Sequence, residues 1–225
     1  MELERVMEER DRLMSLDLRS AARCVWRVIR RPLVRRRGAR QARRLVAEQG
    51  RCRLDLGSGV TSRDGFVGID LSPAADIEWD VRWGLPFPDE SVLEIRSDHF
   101  FEHLDLPDVV AALRECRRVL VPGGVIEFTV PHLDPYVDAY LRNDVDLLRE
   151  QIFDVPEGQE NLYSTCFDLI SWLLLRAGEH KSMFDKESIL AKVRIAGFSE
   201  VSTRRYDRGR DGGFRLSSIY VVAVR

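Results

Sequence analysis

One segment constrains this chain more than any other: Leu54-Asp55-Leu56-Gly57-Ser58-Gly59, followed within a few residues by Phe66-Val67-Gly68-Ile69-Asp70. The run Cys52–Leu56 carries Asp55 near its end and leads at once into two glycines. The run Phe66–Ile69 ends in Asp70. Both runs read as short strands. Glycines let a backbone turn tightly beneath a ligand. An acidic side chain at the carboxyl edge of a parallel sheet can accept hydrogen bonds from ribose hydroxyls. A glycine turn alone would explain Gly57 and Gly59 but not the aspartates on either side, so the segment points to a ligand. A dinucleotide is disfavoured, because its fingerprint wants three glycines and a helix of several turns before the second strand. Only ten residues separate Gly59 from Asp70. A phosphate loop is disfavoured as well, since no Gly-Lys-Ser or Gly-Lys-Thr occurs.

The same rhythm continues downstream. Ala75–Val81 reads as a weaker third strand and Val92–Ser97 as a fourth. Leu106–Leu120 is an amphipathic helix, with Val109, Val110, Leu113, Cys116 and Leu120 on one side. Pro122-Gly123-Gly124 is a turn, and Val125–Val130 a fifth strand stopped by Pro131. Alternating strand, turn and helix predicts a parallel sheet with helices on both faces. Residues 133–182 lack this rhythm and read as an insertion over the strand ends. Asp134–Ile152 is expected to be helical, residues 154–161 a loop, and Ser164–Ala177 an apolar helix. Residues 185–196 form a further helix, with Asp185 or Ser188 as N-cap and Gly197 closing it. Val201–Tyr206 and Leu216–Val224, joined by a glycine-rich turn, predict an antiparallel pair.

Ahead of this body lies a different stretch. Residues 1–50 hold 14 Arg, no Lys and 7 acids, a net of +7. The remaining 175 hold 21 basic groups against 30 acids, a net of -9, which together give the overall -2. Residues 3–30 read as helix, which Pro32 should break or kink, with a second helical piece from Arg35 to Ala47 broken around Gly38. The division is therefore a basic helical N-terminal extension over 1–48 and a domain over 49–225 that carries the insert at about 133–182. The Arg-rich run reads first as a helical extension that packs on its own domain or, by self-association, on a partner subunit, and, with Trp26 beside it, it also fits peripheral contact with an anionic membrane. Nucleic acid is disfavoured by the acidic body and by the lack of a basic stripe interleaved with aromatics. No 18-residue apolar stretch or secretory leader is visible, and Cys24, Cys52, Cys116 and Cys166 are scattered singly. The expected location is the cytoplasm, extending to the inner face of the membrane.

Several motifs in order resemble the class I S-adenosylmethionine-dependent methyltransferases, closest to the small-molecule and glycan-modifying bacterial group. They are Asp55-Leu56-Gly57-Ser58-Gly59, Val67-Gly68-Ile69-Asp70-Leu71-Ser72-Pro73, Asp80-Val81 and Leu85-Pro86-Phe87-Pro88-Asp89. Ser97-Asp98-His99, Glu102-His103-Leu104, Arg118-Val119-Leu120-Val121-Pro122-Gly123-Gly124, His180 through Asp185 and Ala196-Gly197-Phe198 follow. The resemblance covers about residues 50–224. It departs from the family at Thr61, where a third glycine is usual, at Glu94, where Asp is common, and in the short crossover after the turn.

The resemblance implies an α/β fold, Rossmann-like and doubly wound, with a mostly parallel seven-stranded sheet and an antiparallel C-terminal strand. It implies S-adenosyl-L-methionine as cofactor. Gly57, Ser58 and Gly59 would pass under its methionine part, with Asp55 near the amino group. Asp70 would hold the ribose hydroxyls, Leu71 would line the adenine, and Asp80 and the Val81 backbone would meet the adenine edge. Ser97 and Asp98 would border the methyl end. Methyl transfer is an in-line displacement that mainly requires alignment, and a hydroxyl acceptor benefits from a general base. His99, His132 and His180 are the candidate bases, while His103 reads as structural. His99 and His103 are four apart without the HExxH order, so no metal is expected. The expected function is methylation of a hydroxyl on a small metabolite or glycan-linked acceptor. The alternatives are N- or C-methylation of a small metabolite and a non-catalytic scaffold that keeps the fold. No Asn-Pro-Pro-Tyr-like tetrapeptide follows the fourth strand, which argues against nucleic-acid or protein amide nitrogens.

Overall fold

A computed structural model describes residues 30–152, 155, 158–209, 211 and 217–225. The helix expected over 3–30 therefore lies outside the described residues except for Arg30. Seven strands form one sheet: β1 Cys52–Leu56, β2 Val67–Asp70, β3 Ile77–Glu78, β4 Val92–Asp98, β5 Leu120–Pro131, β6 Glu200–Arg204 and β7 Ser218–Val224. Their order is β3-β2-β1-β4-β5-β7-β6. β1 to β5 pair in parallel, and β7 runs antiparallel to both β5 and β6. This is the expected α/β architecture, including the reversed last strand.

The two faces of the sheet differ in chemistry. The register aligns Leu56, Ile69, Ile77, Ser97, Phe128 and Val221 on one face, with Leu54, Ile95, Ile126 and Ala223 beside them. Helices α2 (Leu106–Val119) and α6 (Lys186–Ile195) bring Val109, Leu113, Cys116, Ile189 and Val193 to the same core. Asp185 caps α6 by accepting from the Ser188 N–H at 2.6 Å. The other face presents Arg53, Asp55, Glu94, Arg96, Asp98, Glu127 and Arg204. Glu127 accepts from both Arg96 and Arg204, and Arg96 also donates to Glu94 at 2.7 Å. Half-buried charges persist there because each has a partner. The helix a longer β1–β2 crossover would lay on that face is replaced by a loop over residues 57–66.

Several expectations from the sequence are corrected. Residues 30–49 form one unbroken helix, α1, that runs through both Pro32 and Gly38. Gly38 sits where the helix crosses Trp79; a Cβ there would lie 2.6 Å from the indole ring. The glycine serves close approach, not a break. The boundary at 48 also cuts through the core, since Ala42 of α1 is fully buried in it and Ala39, Leu45 and Val46 pack against it. Arg31 and Arg35 lie over the Trp83 ring at 5.5 and 5.6 Å, so part of the Arg run packs on its own domain. Finally, β5 begins at Leu120, with the Pro-Gly-Gly turn absorbed as an irregularity opposite Val92–Glu94.

The insert splits into α3 (Asp134–Leu141), α4 (Val145–Gln151) and α5 (Cys166–Leu175). The single helix expected over 134–152 breaks because Asn143 adopts φ +54 and Asp144 caps α4, accepting from Leu147 N–H at 3.0 Å. These helices enclose a second small core of Tyr136, Ala139, Leu148, Ile152, Cys166 and Leu169.

Candidate functional site

β1 and β4 are neighbours whose connections leave in opposite directions, so a crevice opens beyond Leu56 and Asp98. Such a reversal point is where open α/β sheets bind ligands. The glycine turn forms its floor. Gly57 has φ +71, its N–H donates to the Ile69 carbonyl at 2.9 Å, and a Cβ there would lie 2.8 Å from Phe100. Gly59 has φ +64 with open space in front of it. Gly57→Ala forces a side chain into the left-handed region and into Phe100, so it should lower unfolding free energy by about 2–4 kcal/mol. A shift in the urea midpoint checks this, and an unchanged midpoint would mean the turn is not held as described.

Asp70 stands across the turn. Its Oδ2 accepts from Gly59 N–H at 3.0 Å and its Oδ1 from Ser72 N–H at 2.7 Å. Asp55 is buried and accepts from the Arg63 N–H at 3.1 Å and from the Arg63 guanidinium. Burial pushes its carboxyl above the usual range, the nearby Asp98 charge adds to this, and Arg63 opposes without cancelling it. Asp98 accepts from the Thr129 hydroxyl. The buried hydroxyls of Ser58 and Ser97 have no partner. Mutually repelling carboxylates, open space at Gly59 and the unpartnered Ser58 hydroxyl beside it suit a cationic ligand with its own hydroxyls. S-adenosylmethionine fits that description.

The adenine side is less open. Asp80 is buried, and both its oxygens accept from the Arg82 guanidinium, at 2.8 and 2.6 Å. Burial alone would push its carboxyl up, but Arg82 outweighs burial and holds it below the usual range. The side chain is thus committed to Arg82 rather than presented to a ring amine. The Val81 side chain is buried in the main core, and Leu71 is exposed just past β2.

The three candidate bases have different surroundings. His99 leaves β4 with φ +50, its N–H donating to the Thr129 carbonyl and hydroxyl at 3.1 and 3.2 Å. Its Nδ1 lies 2.9 Å from Glu102 Oε1 and its Nε2 2.9 Å from Ser218 Oγ. A non-glycine residue held in that backbone region stores strain on the order of 1–3 kcal/mol, and such strain clusters at functional positions. His132 Nε2 lies 3.1 Å from Asp134 Oδ2 at the start of the insert. His180 does not join the strand ends. It is buried against His103, with ring centroids 5.3 Å apart, and its Nδ1 lies 2.7 Å from the Leu173 carbonyl. Arg63, Glu102, Thr129 and Ser218 belong to the site but were not singled out for it. Glu102 stood in a recognisable motif. Ser218 reaches the site only because β7 pairs antiparallel with β5, placing it opposite Pro131.

Residues 64–128 match a protein-family model described as a methyltransferase domain. No curated protein matches the chain. Among solved structures, it is similar to a S-adenosylmethionine-dependent methyltransferase from Archaeoglobus fulgidus, at 14% identity over 85% of this chain and 94% of that one, TM-score 0.49. Another from Methanosarcina mazei is 16% identical over 77% and 91%, TM-score 0.49. One from Mesorhizobium loti is 16% identical over 77% and 90%, TM-score 0.46. The matched segment, residues 64–128, runs from just before β2 through most of β5 of the sheet described above.

Proposed function

We propose that this domain methylates a hydroxyl of a small metabolite or glycan-linked acceptor. The observation that carries the reading is His99. A buried glutamate holds one ring nitrogen, and the other faces a hydroxyl oxygen at the end of β5 and β7. With Nδ1–H donating to Glu102, Nε2 keeps its lone pair for a hydroxyl proton, and Glu102 then stabilises the imidazolium. The Ser218 hydroxyl marks where an acceptor hydroxyl docks. When bound, S-adenosylmethionine supplies an electrophilic methyl on a sulfonium. Asp70 accepts from the ribose hydroxyls, and the Gly57–Gly59 backbone supports the methionine portion. Asp98 and Asp55 favour positive charge between them, with Asp55 partly neutralised by Arg63. The test is transfer of labelled methyl to matched panels of hydroxyl-bearing and amine-bearing sugars and metabolites. Turnover with hydroxyls is expected, and turnover confined to amines would overturn the reading.

The extension adds a membrane element to the proposal. Arg36, Arg37, Arg40 and Arg43 are exposed on α1, and each basic residue near an anionic surface contributes about 1 kcal/mol. Among the described residues no helix is long and apolar enough to cross a membrane. Co-sedimentation with anionic vesicles should fall several-fold when these four arginines become glutamine. Equal binding would remove this part of the proposal.

A further inference from the structure

We propose that Glu102, His103 and His180 form a binding site for a divalent cation of the zinc class, separate from the cofactor crevice. Spacing in the chain hides the site, since His180 lies 77 positions beyond His103. The fold closes that gap: one ligand atom from each of the three residues lies within 4.8 Å of the other two. The inference stands independently of the methyl-transfer reading.

Three features point to a cation rather than to an ordinary polar cluster. Glu102 is 1% exposed, and its Oε2 is buried without a hydrogen-bond partner. A carboxylate oxygen left so is costly unless a cation or donor meets it. His103 Nδ1 lies 3.1 Å from the Glu179 carbonyl and His180 Nδ1 lies 2.7 Å from the Leu173 carbonyl. A carbonyl only accepts, so each Nδ1 carries the proton and each Nε2 keeps the lone pair. Backbone carbonyls set metal-binding histidines in this way. Third, the ligand-bearing segments are already fastened together. The N–H groups of Lys181 and Ser182 donate to the Glu102 carbonyl at 2.8 and 3.1 Å, and the Ser182 hydroxyl donates to the Leu104 carbonyl at 2.9 Å.

Two imidazoles and a carboxylate suit zinc, with bonds of about 2.0–2.2 Å. Tetrahedral ligand atoms then stand about 3.3 Å apart, so the exposed His103 ring has a short distance to close. Its exposure also gives the ion an entry path and leaves a fourth position for water. The other oxygen of Glu102 holds His99. A bound ion would therefore tie the end of the insert to the exit of β4 and steady the glutamate that orients the proposed base.

The test uses the full chain, stripped with chelator and titrated calorimetrically with zinc chloride. One saturable equivalent is expected, with magnesium chloride giving no comparable heat. His103→Ala and His180→Ala should each weaken zinc binding on the order of 100-fold. Because His103 is exposed, His103→Ala should keep the melting temperature of the metal-free parent, which separates loss of a ligand from loss of the fold. No saturable zinc binding by folded parent protein, or equally tight binding by His103→Ala, overturns the proposal.

Discussion

Replacing Asp70 by alanine is expected to weaken S-adenosylmethionine binding by about 100-fold or more. The carboxylate lies at the carboxyl end of β2 and is held by the N–H groups of Gly59 and Ser72. It is therefore already oriented before a ligand arrives. Hydrogen bonds to a charged group are worth about 1.5–3 kcal/mol each, and every 1.4 kcal/mol is tenfold in affinity. Two ribose hydroxyls on one carboxylate reach the stated loss with room for compensation by water. The fold should survive, because Asp70 is only partly buried and lies outside the main core. Circular dichroism of the variant beside its titration makes that distinction. Unchanged affinity in a folded variant would remove Asp70 from the ribose site.

The second large effect concerns His99. His99→Asn should lower kcat by about 10²–10⁴, the usual contribution of a general base, while cofactor affinity stays within about threefold. Asparagine suits the test because it tolerates the left-handed backbone at this position, so φ +50 need not change. Glu102→Gln keeps a hydrogen-bonding group beside Nδ1 but removes the charge that stabilises the imidazolium. It should slow turnover less than His99→Asn. A His99→Asn enzyme with parental kcat would show that the acceptor loses its proton without this imidazole.

The glycine turn and its two aspartates were legible because their conformation and position rest on local geometry. Gly57 and Gly59 need positive φ, and Asp70 needs only to end a strand. The strand and helix order was legible for a similar reason, since β4, α2 and β5 alternate within 40 residues. What escaped was set by contacts between distant segments. Trp79 turned Gly38 from a helix breaker into a packing position. Arg82 claimed the carboxylate of Asp80, two residues away, although nothing in the spacing distinguishes an ion pair from a free acceptor. The polar face of the sheet was partly visible in the alternation of Glu94, Arg96 and Asp98 with Ile95 and Ser97. A strand buried on both faces tends to read as a continuous apolar run instead. Glu102 could not be assigned from the chain alone, because His99, His103 and His180 converge on it from two segments.

The crevice beyond β1 and β4 is expected to hold S-adenosylmethionine. Calorimetric titration of the full chain with S-adenosylmethionine and S-adenosylhomocysteine tests it most directly. Saturable binding of both at one equivalent, in the micromolar range, is expected. A folded protein that gives no binding heat with either ligand up to millimolar concentration would contradict it.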